Sequence, residues 1–306
     1  MTSLSRALAA TAREPRRLLL TGWFSFLDGE ATAGDVLAQR RVSETLTAMG
    51  IRHDTAWSPG FRPGALSLEA ARPDDYDTLL FVCGPLHGPQ ITGLHLRFAA
   101  CRRLAAGVSV IDAGDPAVTG FDVVIPRDGT PADPVADLAA SAPLGPEPPV
   151  VGVVLSAGQG EYGTRRLHTP VNETLRDWLQ SMDCTRVEAD TRLAVDDWRL
   201  CATPEQFLAL VGRLDLVVTT RLHGLVLALR RGTPVIAVDP VSGGAKVCAQ
   251  GRALRWPAVL ASDDLLPTVL EHWWAWALSD EGREAARAQS DALAGPGAAS
   301  GRARKD

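Results

Sequence analysis

Seven short apolar runs, at residues 18–20, 79–83, 108–111, 123–125, 150–155, 214–218 and 235–238, recur along a chain of 306 residues and constrain its fold more than any other feature. None of them alternates with polar residues. A strand with one solvated face alternates, whereas one buried on both faces does not, and such strands belong to parallel sheets covered by helices on each side. The runs are flanked by Gly, Pro and Asp and separated by stretches of helical length, so the fold class is α/β. After the first run, Asp35 reads as the cap of a helix whose Ala38, Val42, Leu46 and Met49 share one face, with Gly50 closing it.

The stretch 132–149 is rich in proline and carries little hydrophobic pattern until Val150 restarts a strand, which marks a junction. The expected organisation is a flexible leader at 1–17, an N-terminal α/β domain at 18–145, a C-terminal α/β domain at 146–290, and a disordered tail at 291–306. A long terminal helix is expected from Ser262, with Asp263 and Asp264 in its first turn, to about Ser290. Two halves of one class raise the idea of duplication, although no repeat aligns.

Composition removes several functions. With 31 Lys and Arg against 36 Asp and Glu, a formal net charge of -5, the chain lacks the basic surplus that phosphate-backbone binding requires, so nucleic acid is not expected as a partner. No run approaches the roughly 18 to 20 apolar residues needed to cross a bilayer. The first 17 residues scatter Arg6, Arg13, Arg16 and Arg17 among Ala and Leu, unlike a secretory signal, and a cytoplasmic location is expected. Five widely spaced cysteines form no CxxC or CxxH pattern. No metal site is expected, and each Cys reads as a small buried hydrophobe in a reducing compartment.

The densest chemistry lies between Asp215 and Lys246. A buried strand ends in Thr219 and Thr220, the chain turns through Arg221, Leu222, His223 and Gly224, and an almost wholly apolar helix follows to Arg231. In a parallel sheet the turn after a strand's carboxyl end is where ligands bind. In an extended turn Arg221 and His223 face the same side. Arg221 can grip a carboxylate or phosphate through two parallel bonds beside the unpaired N–H groups of the helix start, and His223 can exchange a proton near neutral pH. The competing reading makes Arg221 a cap and His223 a packed core histidine.

Thr220-Arg221-Leu222-His223-Gly224, then the apolar helix, Gly232-Thr233-Pro234-Val235 and Lys246, resembles the signature of the polysaccharide pyruvyl transferase family. Gly22-Trp23-Phe24 and Gly34-Asp35 resemble that family's N-terminal glycine-aromatic and Gly-Asp signature. The resemblance implies two Rossmann-like domains in a glycosyltransferase-B-like arrangement. It implies transfer of the enolpyruvyl part of phosphoenolpyruvate onto a sugar or glycan as a pyruvate ketal. Arg221, Gly224 and Lys246 would then bind the donor, and His223 would give a proton to the enol methylene or to the leaving phosphate. Arg and Lys suffice electrostatically, so no metal or cofactor is required. Two departures stand out: seven residues, 239–245, separate the strand from Lys246, and the glycine cluster after the third strand is reduced to Cys83-Gly84-Pro85-Leu86-His87-Gly88. Competing functions are a nucleotide-sugar glycosyltransferase and a non-catalytic glycan-binding relative.

The loop from Asp28 to Asp35 gathers carboxylates, which excludes it as a phosphate cradle and suits hydrogen bonds to sugar hydroxyls. Glu30 is an acceptor contact or a solvated charge, Asp35 an acceptor contact or a helix cap, and His87 an acceptor contact or a turn-stabilising residue. Gly158, Gly160 and Gly163 spell GxGxxG after a strand, the dinucleotide fingerprint. Its glycines should open a helix directly, yet the helix reads as capped at Thr169 and starting at Pro170. Arg165 and Arg166 fill the gap and are candidate donor ligands. Trp273, Trp274 and Trp276 lie on the terminal helix, which either packs across both domains or touches a membrane surface as a peripheral contact.

Overall fold

The computed structural model describes residues 17–27, 30–129, 133–158 and 160–294, which divide into two compact units, 1–145 and 146–306. The expected disorder of the leader and tail falls on residues 1–16 and 295–306, outside the described residues. The part of that tail at 291–294 is helical instead.

The first unit is built from β1 (Leu18–Gly22), α1 (Ala33–Ala48), β2 (His53–Thr55), β3 (Thr78–Val82), α2 (Pro89–Arg97), β4 (Arg102–Val110) and β5 (Val123–Gly129). All strands pair in parallel, in the order β2-β1-β3-β4-β5. Alternate residues feed opposite cores. Leu19 and Phe81 pack with Ile91, Leu94 and Phe98 on one face, while Leu18, Leu20, Leu80 and Val82 pack with Ala38, Val42 and Leu46 on the other. Each run is continuous because both faces of its strand are covered.

The second unit comprises β6 (Val150–Val154), α3 (His168–Ser181), β7 (Thr185–Glu188), α4 (Pro204–Val211), β8 (Leu216–Thr219), α5 (Leu222–Arg230), β9 (Val235–Asp239), α6 (Lys246–Ala253), β10 (Val259–Ala261), α7 (Pro267–Leu278) and α8 (Asp280–Ala294). Its parallel order is β10-β9-β8-β6-β7. Renumbered from its own first strand, this is the same 2-1-3-4-5 order as the first sheet. The fold class is thus α/β with two Rossmann-like parallel sheets, and the symmetry invisible in sequence is present in topology.

Several helix ends differ from expectation. Thr32, not Asp35, caps α1: the Thr32 Oγ1 accepts from the Asp35 N–H while the Asp35 carboxylate accepts from the Thr32 N–H, a reciprocal capping box. Met49 falls past the last turn and is exposed, and Gly50 turns the chain at φ +73. α3 begins at His168 with Leu167 as N-cap, two residues before Pro170. The expected helix from Ser262 is a 3-10 turn, Ser262–Asp264, followed by α7 and α8, which part at Ser279. Trp273, Trp274 and Trp276 are half-buried in the second unit's cores, with Trp276 against Trp256 at 5.3 Å and Trp274 against Trp178 at 5.6 Å. Among the described residues no helix is long and apolar enough to cross a membrane.

Both sheets change direction where consecutive crossovers go opposite ways, between β1 and β3 and between β6 and β8, and ligands enter such sheets at the carboxyl side of that point. In the first unit Trp23 fills the place. Its Nε1–H donates to the Pro85 carbonyl at 3.1 Å, and a Cβ on Gly84 would stand 2.2 Å from the indole. Gly84 also lies at φ +69. Gly84→Ala combines a clash with a left-handed backbone and should cost about 1–3 kcal/mol, read as a lowered denaturation midpoint of the full chain.

Candidate functional site

In the second unit the corresponding place is tightly braced. Thr219 donates its hydroxyl to the Val154 carbonyl at 2.7 Å and accepts the Arg221 N–H at 2.9 Å. Ser156 donates its N–H to Thr220 Oγ1 at 2.8 Å, and Asn172 of α3 donates to the Ser156 carbonyl at 2.8 Å. All four polar side chains, Thr219, Thr220, Asn172 and Ser156, are buried. The side chains of Thr219, Thr220 and Asn172 are satisfied within the lock, as burial requires, and with the Ser156 backbone they fix the loops after β6 and β8 to one another.

Arg221 and His223 do not share an extended turn. Arg221 is the N-cap of α5, with extended backbone, and His223 sits in the first helical turn with its imidazole exposed. The first turn still presents unpaired N–H groups, because the earliest backbone bond of the helix runs from the Leu225 N–H to the Arg221 carbonyl at 3.2 Å. Gly224 is buried, and a Cβ there would stand 2.2 Å from Thr219 Oγ1. Its small size lets the helix start approach β8, a packing role beside any contact of its N–H with a donor.

The Arg221 guanidinium is half-buried and does not project freely. Its Nε–H donates to the Leu155 carbonyl at 3.4 Å, and its Nη2 lies 3.3 Å from the Asp190 carboxylate. Asp190, just past β7, also accepts the Arg192 N–H at 2.9 Å and its Nε–H at 2.8 Å. Burial works to raise the Asp190 carboxyl, but the Arg192 N–H and guanidinium and the Arg221 charge outweigh it and hold the group below the usual carboxylate range. Asp190 stands where a dinucleotide fingerprint would carry its acidic residue, and no motif marks it as a neighbour of Arg221. Its partnership with Arg221 spans the sheet and leaves no spacing signal.

The residues between β9 and Lys246 form a closed loop. The buried Asp239 carboxylate accepts from the N–H groups of Ala245 at 2.7 Å and Cys248 at 2.9 Å on one oxygen, and from Val241 at 3.2 Å on the other. Gly243 and Gly244 both lie at φ +75, which permits the reversal. Lys246 therefore opens α6 at the carboxyl edge of the sheet, one strand from Arg221, and the intervening residues are looped out rather than inserted into its path. Arg165 and Arg166 belong to the loop after β6, which ends against the same segment: the Ser242 N–H donates to the Arg165 carbonyl at 2.9 Å and Arg166 pairs with Val241.

Three residues proposed from sequence lie in the first unit. Glu30 is exposed. Asp35 is engaged in the capping box. His87 follows β3 with its Nδ1 2.7 Å from the Asp115 carboxylate. That carboxylate lies below its usual range, chiefly because it accepts the Ala117 N–H and then because of His87. Among the described residues no cluster of His, Cys, Asp or Glu could hold a metal ion.

At the switch point of its parallel sheet the second unit thus carries a braced turn with Arg221 held by Asp190 and an uncapped helix N-terminus. Residues 174–242 of this unit match the family model of polysaccharide pyruvyl transferases, and this match supports a transferase that modifies glycans. The matched segment contains Asp190, Arg221, His223 and Gly224. Lys246, Arg165, Arg166 and the whole first unit lie outside it. No curated protein matches the chain. Among solved structures, the glycotransferase of kitacinnamycin is 14% identical, with 91% of this chain and 95% of that one covered at a TM-score of 0.33. The calicheamicin glycosyltransferase CalG4 is 14% identical over 91% and 94% at 0.33. The heptosyltransferase WaaC of E. coli, with ADP, is 12% identical over 89% and 99% at 0.27.

The depressed Asp190 carboxyl contributes stability that is complete above the ordinary carboxylate value of about 3.9 and is lost as pH falls from there through its lower folded value. Asp190→Asn should remove that part of the acid dependence. Thermal melts of both proteins, compared from neutral to acid pH, should converge below the ordinary carboxylate range.

Proposed function

We propose that the protein transfers a pyruvyl group from phosphoenolpyruvate to a pair of hydroxyls on a saccharide or glycan precursor, giving a pyruvate ketal. The observation that carries this reading is Arg221 at the N-cap of α5, with His223 exposed in the next turn, inside the segment that matches the pyruvyl transferase model. Phosphoenolpyruvate carries a carboxylate and a phosphate, so it asks for planar cation donors, backbone N–H groups and a proton source at one sheet edge.

Arg221 binds the donor carboxylate, already oriented by Leu155 and Asp190. Lys246, Arg165 and Arg166 serve the phosphate. His223 gives a proton to the enol methylene, which becomes the methyl group as the first sugar hydroxyl bonds to the substituted carbon. The carbon–oxygen bond to phosphate then breaks, and the second hydroxyl closes the ketal. Of the two hydroxyl protons, one replaces that given by His223 and the other leaves with phosphate, so no further reactant is needed. Glu30 and His87 are the first-unit groups proposed to hold acceptor hydroxyls.

Purified protein incubated with phosphoenolpyruvate and a panel of sugar nucleotides and glycolipids should release phosphate with one acceptor class. His223→Ala should slow that release by about 10²-fold or more, the usual worth of a positioned general acid. Equal release by the two proteins removes His223 from the chemistry. Arg221→Ala should abolish measurable donor binding by calorimetry, and an unchanged affinity would remove Arg221 from the donor site.

A further inference from the structure

In the second sheet β6 and β9 flank β8. The loop that leaves β6 crosses the width of β8 at the carboxyl edge, and the Leu167 N–H donates to the Pro240 carbonyl at 2.9 Å beyond it. Gly158, at φ +138, lies close under the Arg166 side chain, whose Cδ would be 3.5 Å from a Cβ there. The strap thus delivers Arg166 and the start of α3 to the loop that precedes Lys246.

His168 is the first residue of α3 and is only 2% exposed. Its Nδ1 is buried without a hydrogen-bond partner. A buried ring nitrogen left this way is costly unless something outside the chain completes it. The charges that reach the ring are Arg166 and Lys246 on one side of the balance and Asp239 and Glu161 on the other. Of these, Asp239 already has both oxygens committed to backbone N–H groups. α3 also starts without a side-chain cap, so its first N–H groups have no partner of their own. Burial first, then Arg166 and Lys246, keep the imidazole below its ordinary range, so near neutral pH it is uncharged with one N–H to donate.

We infer that His168, with Arg166, Lys246 and the first turn of α3, forms a phosphate-binding site in which the imidazole donates a hydrogen bond to a phosphate oxygen. Its assignment to the donor's phosphate rests on the pyruvyl transfer reading and divides the labour between two histidines. His168 holds the phosphoryl end and stays with phosphate when the carbon–oxygen bond breaks; His223 serves the methylene.

Inorganic phosphate is the probe. Titrated into the full chain, it should shift the ring-nitrogen resonances of His168, assigned with a His168→Gln variant. His168→Leu should bind phosphate at least tenfold more weakly by calorimetry and melt higher in phosphate-free buffer, because an apolar side chain removes the unpartnered nitrogen. If His168→Leu does not fold, the wild-type resonances still decide. Resonances unmoved at saturating phosphate, unchanged affinity in the folded variant, or no phosphate binding by the wild type would each overturn the site. A site that responds to phosphate in a protein that releases none from phosphoenolpyruvate with any acceptor would stand without the donor reading. Phosphate release from a protein whose His168 ignores phosphate would leave that reading standing without the site.

Discussion

Parallel strands covered on both faces can meet solvent only at their ends, and the chemistry of this chain is confined accordingly. Alternate side chains of β1, β3, β8 and β9 are consumed by opposite cores. What remains for polar work is the carboxyl edge, where successive loops must be tied together without the help of a sheet ladder. Thr219, Thr220, Ser156 and Asn172 do this in the second unit by side-chain to backbone bonds, and the Asp239 carboxylate does it for the loop before Lys246. The cations are held on those braces rather than on flexible excursions.

Much of the architecture was legible because burial writes itself as composition. Each of the seven apolar runs overlaps a strand. The three strands without such runs, β2, β7 and β10, are all edges of their sheets. An edge strand packs against one neighbour and is half-solvated, so His53-Asp54-Thr55 and Thr185-Arg186-Val187-Glu188 carry no continuous apolar signal. Helix starts were less legible. Asp35 and Thr169 are good caps by residue type, but α1 starts at the local box that Thr32 forms with Asp35, and at α3 the tertiary bond from Leu167 to Pro240 fixes the start.

The candidate site divides along the same line. Arg221 and His223 stand in one local motif and could be found from sequence. Asp190, Asn172 and His168 stand beside groups 16 to 78 positions away, for example Asp190 to Arg221 and His168 to Lys246, and no spacing rule reports such pairs. The net charge of -5 is equally silent, since it averages an acidic loop before α1 with the arginines and lysine at the second sheet's edge.

The shared strand order gives Trp23 a meaning beyond packing. At the switch point of the first sheet the indole, capped by the Pro85 carbonyl and hemmed by Gly84, stands where the second sheet places the Arg221 turn. The chain has in effect supplied the resident of its own first switch point, so a small molecule bound by that half meets the outer loops rather than the strand ends.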